Sequence, residues 1–440
     1  MAVIPRHLLI LTYYFPPSRA AGAQRIQNIV DVALEKGWKV SVITLDEGQK
    51  ARSSLVAPKK IIDEQRLHIY KLKHYVGLQN KTKANAGLAL SEKKLFRGAA
   101  WIFCQKLLLA LNTRVIRYRF EKVAKRIITT DTPTIMLSSA PPFIVHEVAL
   151  KLKKVFPAIF WQADFRDPWV YPGSIHSIDD LPEKMGFKKV LLKADGLIAV
   201  TSGHHEFLQV LSAQASKPPG RVVLAPNGTR SDLYDEVSTR HVPENRAINI
   251  GHLGDITYTH RNPKSLIYAL TNVSENFGEV ALHFWAEVTP YTRWNGESLK
   301  SIIDSANLAQ HLLVSVSSYV SRAEALEYQK SLDLLVIFAI EQPFQIPSKA
   351  YEYLVSDKPI LAICDKGGET YKLLRQFEGV FIATENTVDE VSVHLKGALT
   401  FVKTLKKEGV DIKVNRNNLQ LLDHTACFES ILKGMEHNKL

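Results

Sequence analysis

His7-Leu8-Leu9-Ile10-Leu11-Thr12, a loop containing Pro16, Pro17 and Gly22, an amphipathic stretch from Gln24, and Lys39-Val40-Ser41-Val42-Ile43-Thr44 together decide the fold. The two hexapeptides are short apolar runs of strand length. Between them, Ile26, Ile29, Val30, Ala33 and Leu34 recur at the spacing of one helix face, and Gly37 ends the helix. Strand, helix and strand within so short a span form one βαβ unit of a parallel sheet.

The alternation continues outward. Strands are expected over Thr134–Ser139, Ala158–Asp164, Gly196–Thr201 and Arg221–Pro226, with a helix over Phe143–Val155. After Asn227-Gly228 the chain turns polar and unpatterned through Asn245, which reads as a linker. A second series starts with a strand at Ala247–Ile250, a turn at Gly251-His252-Leu253-Gly254 and a helix over Lys264–Val273. Its further strands are Ala281–Trp285, Leu312–Ser317, Leu334–Phe338, Pro359–Cys364 and Gly379–Thr384. The expected class is α/β, with two Rossmann-like parallel-sheet domains facing a cleft. The first domain covers residues 1–228, a linker 229–246 and the second domain 247–415, with a final segment 416–440. Ligands of such sheets lie beyond the carboxyl ends of the strands, so the loops there are the ones to inspect.

Composition narrows the class without naming a function. Hydrophobic residues at 46% and charged residues at 23% exclude a disordered chain. Cys104, Cys364 and Cys427 are too few and too scattered for a disulfide framework, and a reducing cytosol fits them. The net charge of +12 is uneven: residues 1–230 hold 35 Lys+Arg against 17 Asp+Glu, the remainder 21 against 27. Lys81–Arg126 alone has twelve basic and two acidic residues around the apolar run Gly98–Leu111, which is shorter than a bilayer span. That stretch reads either as an interfacial segment on anionic lipid or as a core-packed helical insertion with a solvated basic face. It lacks a nucleic-acid recognition module, so no nucleic-acid partner is expected. His146 and His204-His205 have no second ligand at metal spacing, and neither a metal nor a cofactor is expected.

Four loops could carry chemistry. Tyr14–Arg25 has small residues, Gly22 among them, that let backbone N–H groups approach a phosphate; the alternative is a plain connecting turn. Asp164-Phe165-Arg166-Asp167-Pro168-Trp169 ends an apolar strand, where an Asp164–Arg166 ion pair would brace the loop and Asp167 would lie further out. Gly251 and Gly254, followed by Arg261, suit close approach to a diphosphate. Ser348 is an expected N-cap; Lys349 and Glu352 are i, i+3 neighbours that either form a surface salt bridge or meet a phosphate and a ribose.

Taken in order, these loops resemble the retaining glycosyltransferases of family 4, which have the GT-B fold. The resemblance is carried by Tyr14-Phe15-Pro16-Pro17 with Gly22 and Arg25, by Asn227-Gly228, by Gly251-x-x-Gly254 and, most specifically, by Pro347-Ser348-Lys349-x-x-Glu352-Tyr353-Leu354 followed by Lys358-Pro359-Ile360-Leu361-Ala362. Ser138-Ser139-Ala140-Pro141-Pro142 and Ala163–Trp169 are similar to a subgroup active in bacterial surface-polysaccharide assembly.

The resemblance implies that Gly22, Gly254, Arg261, Ser348, Lys349 and Glu352 bind a nucleotide-sugar donor, with Glu352 on the ribose and Arg261 and Lys349 on the diphosphate. Gly22 would lie under that diphosphate from the opposing domain. Asp167, with Arg166 beside it, would be catalytic. It also implies metal-independent transfer to a lipid-linked or polysaccharide acceptor at the cytoplasmic membrane face, and a final helix, about Asn418–Met435, packed back on the first domain. Two positions depart from the family: Phe344 stands eight before Glu352 where a Glu is common, and Lys264 replaces the second phosphate-binding cation. Phe344 favours an inactive donor-binding scaffold as the alternative; a sugar-nucleotide epimerase of similar fold is a third reading.

Overall fold

A computed structural model describes residues 6–18, 20–46, 65–73, 112–171, 186–215, 221–230, 232–242, 248–256, 261–286, 288, 292–410, 423, 425, 428–429 and 431. The apolar run at 98–111, the loop residues 257–260 and most of the final segment lie outside them.

The chain divides into two compact units, one holding residues up to 225 and the last residues from 427, the other residues 226–426. The first unit contains β1 (His7–Thr12), α1 (Ala21–Glu35), β2 (Lys39–Asp46), β3 (Leu67–Lys73), α2 (112–130) and β4 (Ile135–Ala140). It continues with α3 (Ile144–Val155), β5 (Phe160–Phe165), α4 (Gly186–Lys193), β6 (Gly196–Ala199), α5 (Ser202–Gln214) and β7 (Val222–Leu224). Its seven strands lie in the order β3-β2-β1-β4-β5-β6-β7, and all neighbours are parallel. The order reverses between β1 and β4, which makes the carboxyl ends of those strands the unit's switch point. Strands β1, β4 and β5 are buried on both faces; β1 is accordingly an almost unbroken apolar run, while β4 and β5 also bury Ser138, Ser139, Gln162 and Asp164. Phe428 and Ile431 are fully buried in the same core, Phe428 packing edge-on against Trp38.

In α2 the residues Ile116, Phe120, Ala124, Ile127 and Ile128 are buried at helical spacing, while Arg114, Lys122, Lys125 and Arg126 are exposed. This part of the basic stretch is thus a core-packed helix with a solvated cationic face.

The second unit contains β8 (Ile248–Leu253), α6 (Lys264–Val273), β9 (Val280–Trp285), α7 (Leu299–Ala306), β10 (Leu312–Ser317) and α8 (Arg322–Ser331). After these come β11 (Leu334–Ala339), α9 (Ser348–Leu354), β12 (Ile360–Cys364), α10 (Glu369–Leu374), β13 (Val380–Ala383) and α11 (Val388–Glu408). Six parallel strands lie in the order β10-β9-β8-β11-β12-β13, with the reversal between β8 and β11. A capping box starts α8, where Ser321 accepts from the Glu324 N–H and Glu324 accepts from the Ser321 N–H.

Two local expectations change. Gly251, His252 and Leu253 are not a turn but the last residues of β8. A side chain on Gly251 would meet Leu332 at 2.3 Å, so the glycine serves packing. Ser348 is not a cap but the first residue of α9; Pro347 holds the N-cap position and no side chain caps that helix.

Candidate functional site

At the switch point of the first unit, a buried ion pair joins α1 to β5. Arg25 donates from Nε (3.0 Å) and Nη2 (2.8 Å) to the two carboxylate oxygens of Asp164, and Ser139 adds its hydroxyl at 2.7 Å. Asp164 is fully buried and Arg25 nearly so. Burial alone pushes the Asp164 carboxyl up, but the Arg25 guanidinium, the Ser139 hydroxyl and the nearby Arg166 charge outweigh it and hold the carboxyl below its ordinary range. The bracing partner of Asp164 is therefore Arg25 and not Arg166. The Arg25 guanidinium, coming from α1, satisfies both carboxylate oxygens at once.

Arg166 has a different seat. Its Nη2 donates to the Pro141 carbonyl, its backbone N–H to Ala140 (2.9 Å), and its guanidinium lies against Gly22. A Cβ on Gly22 would fall 0.9 Å from Arg166 Nη1. The Arg166 guanidinium, from the same unit, thus occupies the space left open at Gly22. Gly22→Ala is expected to expel that guanidinium and destabilise the protein by about 1–3 kcal/mol, read by urea denaturation; a loss within measurement error would show that Arg166 moves aside freely. Asp167, half-buried, is close enough for its charge to bear on Arg166.

Behind these residues Trp161 Nε1 donates to the Ser138 hydroxyl (2.9 Å), which is also hydrogen-bonded to His146 Nδ1 (2.8 Å). His146 is fully buried, and burial, opposed by Asp164 and aided by Arg166, pulls it down to about 3. It stays neutral and serves the packing beneath the loop.

At the switch point of the second unit the candidate residues gather around Gly254, whose φ of +136° suits only glycine. The space a Cβ would fill there is taken by the Lys349 ammonium: Nζ lies 2.1 Å from that position. Lys349 Nζ also meets His252 Nε2 at 3.3 Å. Arg261 donates from Nη1 to the Asp255 carbonyl (2.8 Å), holding the loop after β8. Burial first, then the Arg261 charge, pull the Lys349 ammonium down to about 7, against Glu352 and Asp255. Glu352 does not pair with its i, i+3 neighbour; it meets Arg322 of α8 at 2.9 Å. Lys264 is engaged by Glu297 (2.7 Å). Asp365 accepts the backbone N–H groups of Glu341 (2.9 Å) and Gln342 (2.7 Å), fixing the loop that carries Phe344.

The structure therefore brings Gly254, Lys349 and Arg261 together at the switch point of the second unit, and Gly22 with Arg166 and Asp167 at that of the first. Sequence spacing does not reveal Arg25, Ser139, His252 or Arg322 as partners. Among the described residues, no group of three or more His, Cys, Asp or Glu side chains is gathered to hold a metal ion, and no helix is long and apolar enough to cross a membrane.

No family model matches the chain, and no curated protein matches it. Solved structures do. Sucrose-phosphate synthase from Thermosynechococcus elongatus is similar at 14% identity and a TM-score of 0.63, over 99% of this chain and 98% of that one. A glycosyltransferase from Rickettsia africae ESF-5 is similar at 11% identity and a TM-score of 0.61, over 99% of each chain. Anabaena Alr3699/HepE, in complex with UDP and glucose, is similar at 13% identity and a TM-score of 0.61, over 98% of this chain and 100% of that one. The fold is that of the GT-B glycosyltransferases.

Proposed function

We propose that the protein is a retaining glycosyltransferase of the family 4 type, moving a sugar from a nucleotide-diphosphate sugar to a lipid-linked or polysaccharide acceptor at the inner face of the cytoplasmic membrane. The observation that carries this reading is the cationic notch at Gly254, where the Lys349 ammonium stands over a glycine that has no side chain to exclude a ligand, with Arg261 on the adjoining loop. A solved neighbour in complex with UDP and glucose supports a nucleotide-sugar donor.

In this reading the bond from the sugar C1 to the diphosphate oxygen breaks, and the acceptor oxygen forms the new C1–O bond on the same face. The acceptor proton passes to the departing diphosphate. Arg261 and Lys349 neutralise the charge that develops on that leaving group, the work a divalent ion would otherwise do. Glu352 accepts the ribose hydroxyls, Ser348 contributes its hydroxyl at the start of the same helix, and Asp167 with Arg166 faces the transferring sugar. An anionic membrane surface is the partner of the remainder of the basic stretch, which before α2 carries Lys81, Lys83, Lys93, Lys94, Arg97 and Lys106 and lies outside the described residues.

Glu352→Ala is expected to weaken binding of UDP or GDP by about 10- to 100-fold, the worth of a charged hydrogen bond, and to abolish nucleoside diphosphate release in the presence of acceptor. Titration calorimetry and a coupled release assay measure the two. Unchanged affinity would remove Glu352 from the donor site. Binding without release in the unaltered protein would favour the scaffold reading that Phe344 suggests.

A further inference from the structure

We infer that His252 is a positioning residue: its Nε2 lone pair holds the Lys349 ammonium in the notch over Gly254, where a diphosphate is to be met. The inference rests on the reading of Lys349 as a donor ligand and adds a residue to which neither that reading nor the sequence motifs give a role.

The geometry fixes the direction of every hydrogen. His252 is 1% exposed, and its Nδ1 lies 2.9 Å from the Val336 carbonyl oxygen. A carbonyl only accepts, so Nδ1 carries the ring proton and Nε2 presents a lone pair. Nε2 is 3.3 Å from Lys349 Nζ, which only donates when charged. The ring itself is held between Phe338 (5.2 Å) and Phe284 (6.4 Å), so the lone pair has one aim. Burial, then the Lys349 charge, hold the imidazole well below its ordinary range and keep it neutral. A protonated ring there would repel the ammonium, so the pair works only with His252 neutral.

Four charged or titratable groups bear on Lys349: Arg261 from the loop before α6, Asp255 after β8, Glu352 on its own helix, and His252 from β8. Arg261 disfavours the ammonium, and Glu352 and Asp255 favour it. A hydrogen bond to the charged form favours it as well. Loss of the His252 acceptor therefore has two consequences: the ammonium is free to leave the notch, and it gives up its proton at a lower pH.

The test compares UDP affinity from pH 6 to pH 9 in the unaltered protein, His252→Leu and His252→Gln, with thermal melts to confirm folding. Leu keeps the apolar packing between the two Phe rings but offers no lone pair; Gln restores an acceptor. In His252→Leu, affinity is expected to fall about tenfold, and its decline with rising pH to begin about one pH unit lower, as loss of a charged hydrogen bond implies. His252→Gln is expected to recover most of both. A merely structural role would lower stability without moving the pH at which affinity declines. His252→Leu with unaltered affinity and an unaltered pH profile would overturn the inference and leave the nucleotide reading standing. No binding of UDP or GDP by the unaltered protein at millimolar concentration would overturn the nucleotide reading and this inference with it.

Discussion

Asp164→Ala is expected to destabilise the protein by about 3–5 kcal/mol, the characteristic cost of stranding one member of a buried ion pair. Arg25 donates from Nε and Nη2 to that carboxylate, and both residues are closed to water. Removal of the carboxylate leaves a guanidinium in the core that cannot lose its proton. Ser139, which donates its hydroxyl to Asp164, is stranded as well. The change acts on α1, β4 and β5 together, because Arg25, Ser139 and Asp164 come from those three elements. For a unit of this size the loss corresponds to a fall in melting temperature of roughly 10 °C. The double replacement Arg25→Met with Asp164→Leu is expected to regain most of the stability, since no charge then remains buried. A single variant that loses less than about 1 kcal/mol, or a double variant no better than the single, would show that the pair is not desolvated as the structure has it.

Much of the architecture is legible in the sequence, for a physical reason. Strands β1 and β10 and helix α6 have the bounds expected from pattern alone: β1, covered on both faces, is an apolar run, β10, a partly buried edge strand, is a short Leu/Val-rich run, and α6 keeps the 3.6-residue period of an amphipathic helix. Strand β3 is not legible in the same way. It forms a sheet edge with Lys71, Lys73 and the exposed Ile69 and Tyr70, and its alternation is too mixed to stand out. The end of β8 reads as a turn because a glycine and a histidine stand there; only the position of the Leu332 side chain explains the glycine.

The site divides in the same way. Which loops to inspect follows from where the strands end, so Gly22, Gly254, Arg261, Lys349 and Glu352 can be selected from the sequence as candidates. Their partners cannot. Spacing arguments see only near neighbours, such as Asp164 with Arg166 or Lys349 with Glu352. The contacts that form are Arg25 with Asp164, 139 positions apart, and His252 with Lys349, 97 apart. Each parallel sheet brings distant strand ends to one switch point, and pairing there is a property of the assembled sheet.

Lys349→Met is expected to move stability and binding in opposite directions. The Lys349 ammonium is held down to about 7 when folded, from an ordinary value of 10.5. Below pH 7 both folded and unfolded chains carry the proton, and the cost of burying the charge is fully present. Between pH 7 and 10.5 the unfolded chain holds a proton that the folded chain has released, so stability rises with pH across that window. Methionine fills similar space without a charge. The variant is expected to gain on the order of 2 kcal/mol at pH 6, allowing for the residue's partial exposure, and to lose the rise between pH 7 and 10.5; urea denaturation at several pH values reads both. At pH 6, where Lys349 carries its proton, the variant's affinity for UDP is expected to fall about 100-fold, because the cation over Gly254 is gone. A residue whose removal stabilises the fold while emptying the site is kept for what it binds and not for what it holds together. If Lys349→Met leaves UDP affinity unchanged, the notch is not a phosphate site. If the pH dependence of stability is also unchanged, the ammonium is not buried there at all.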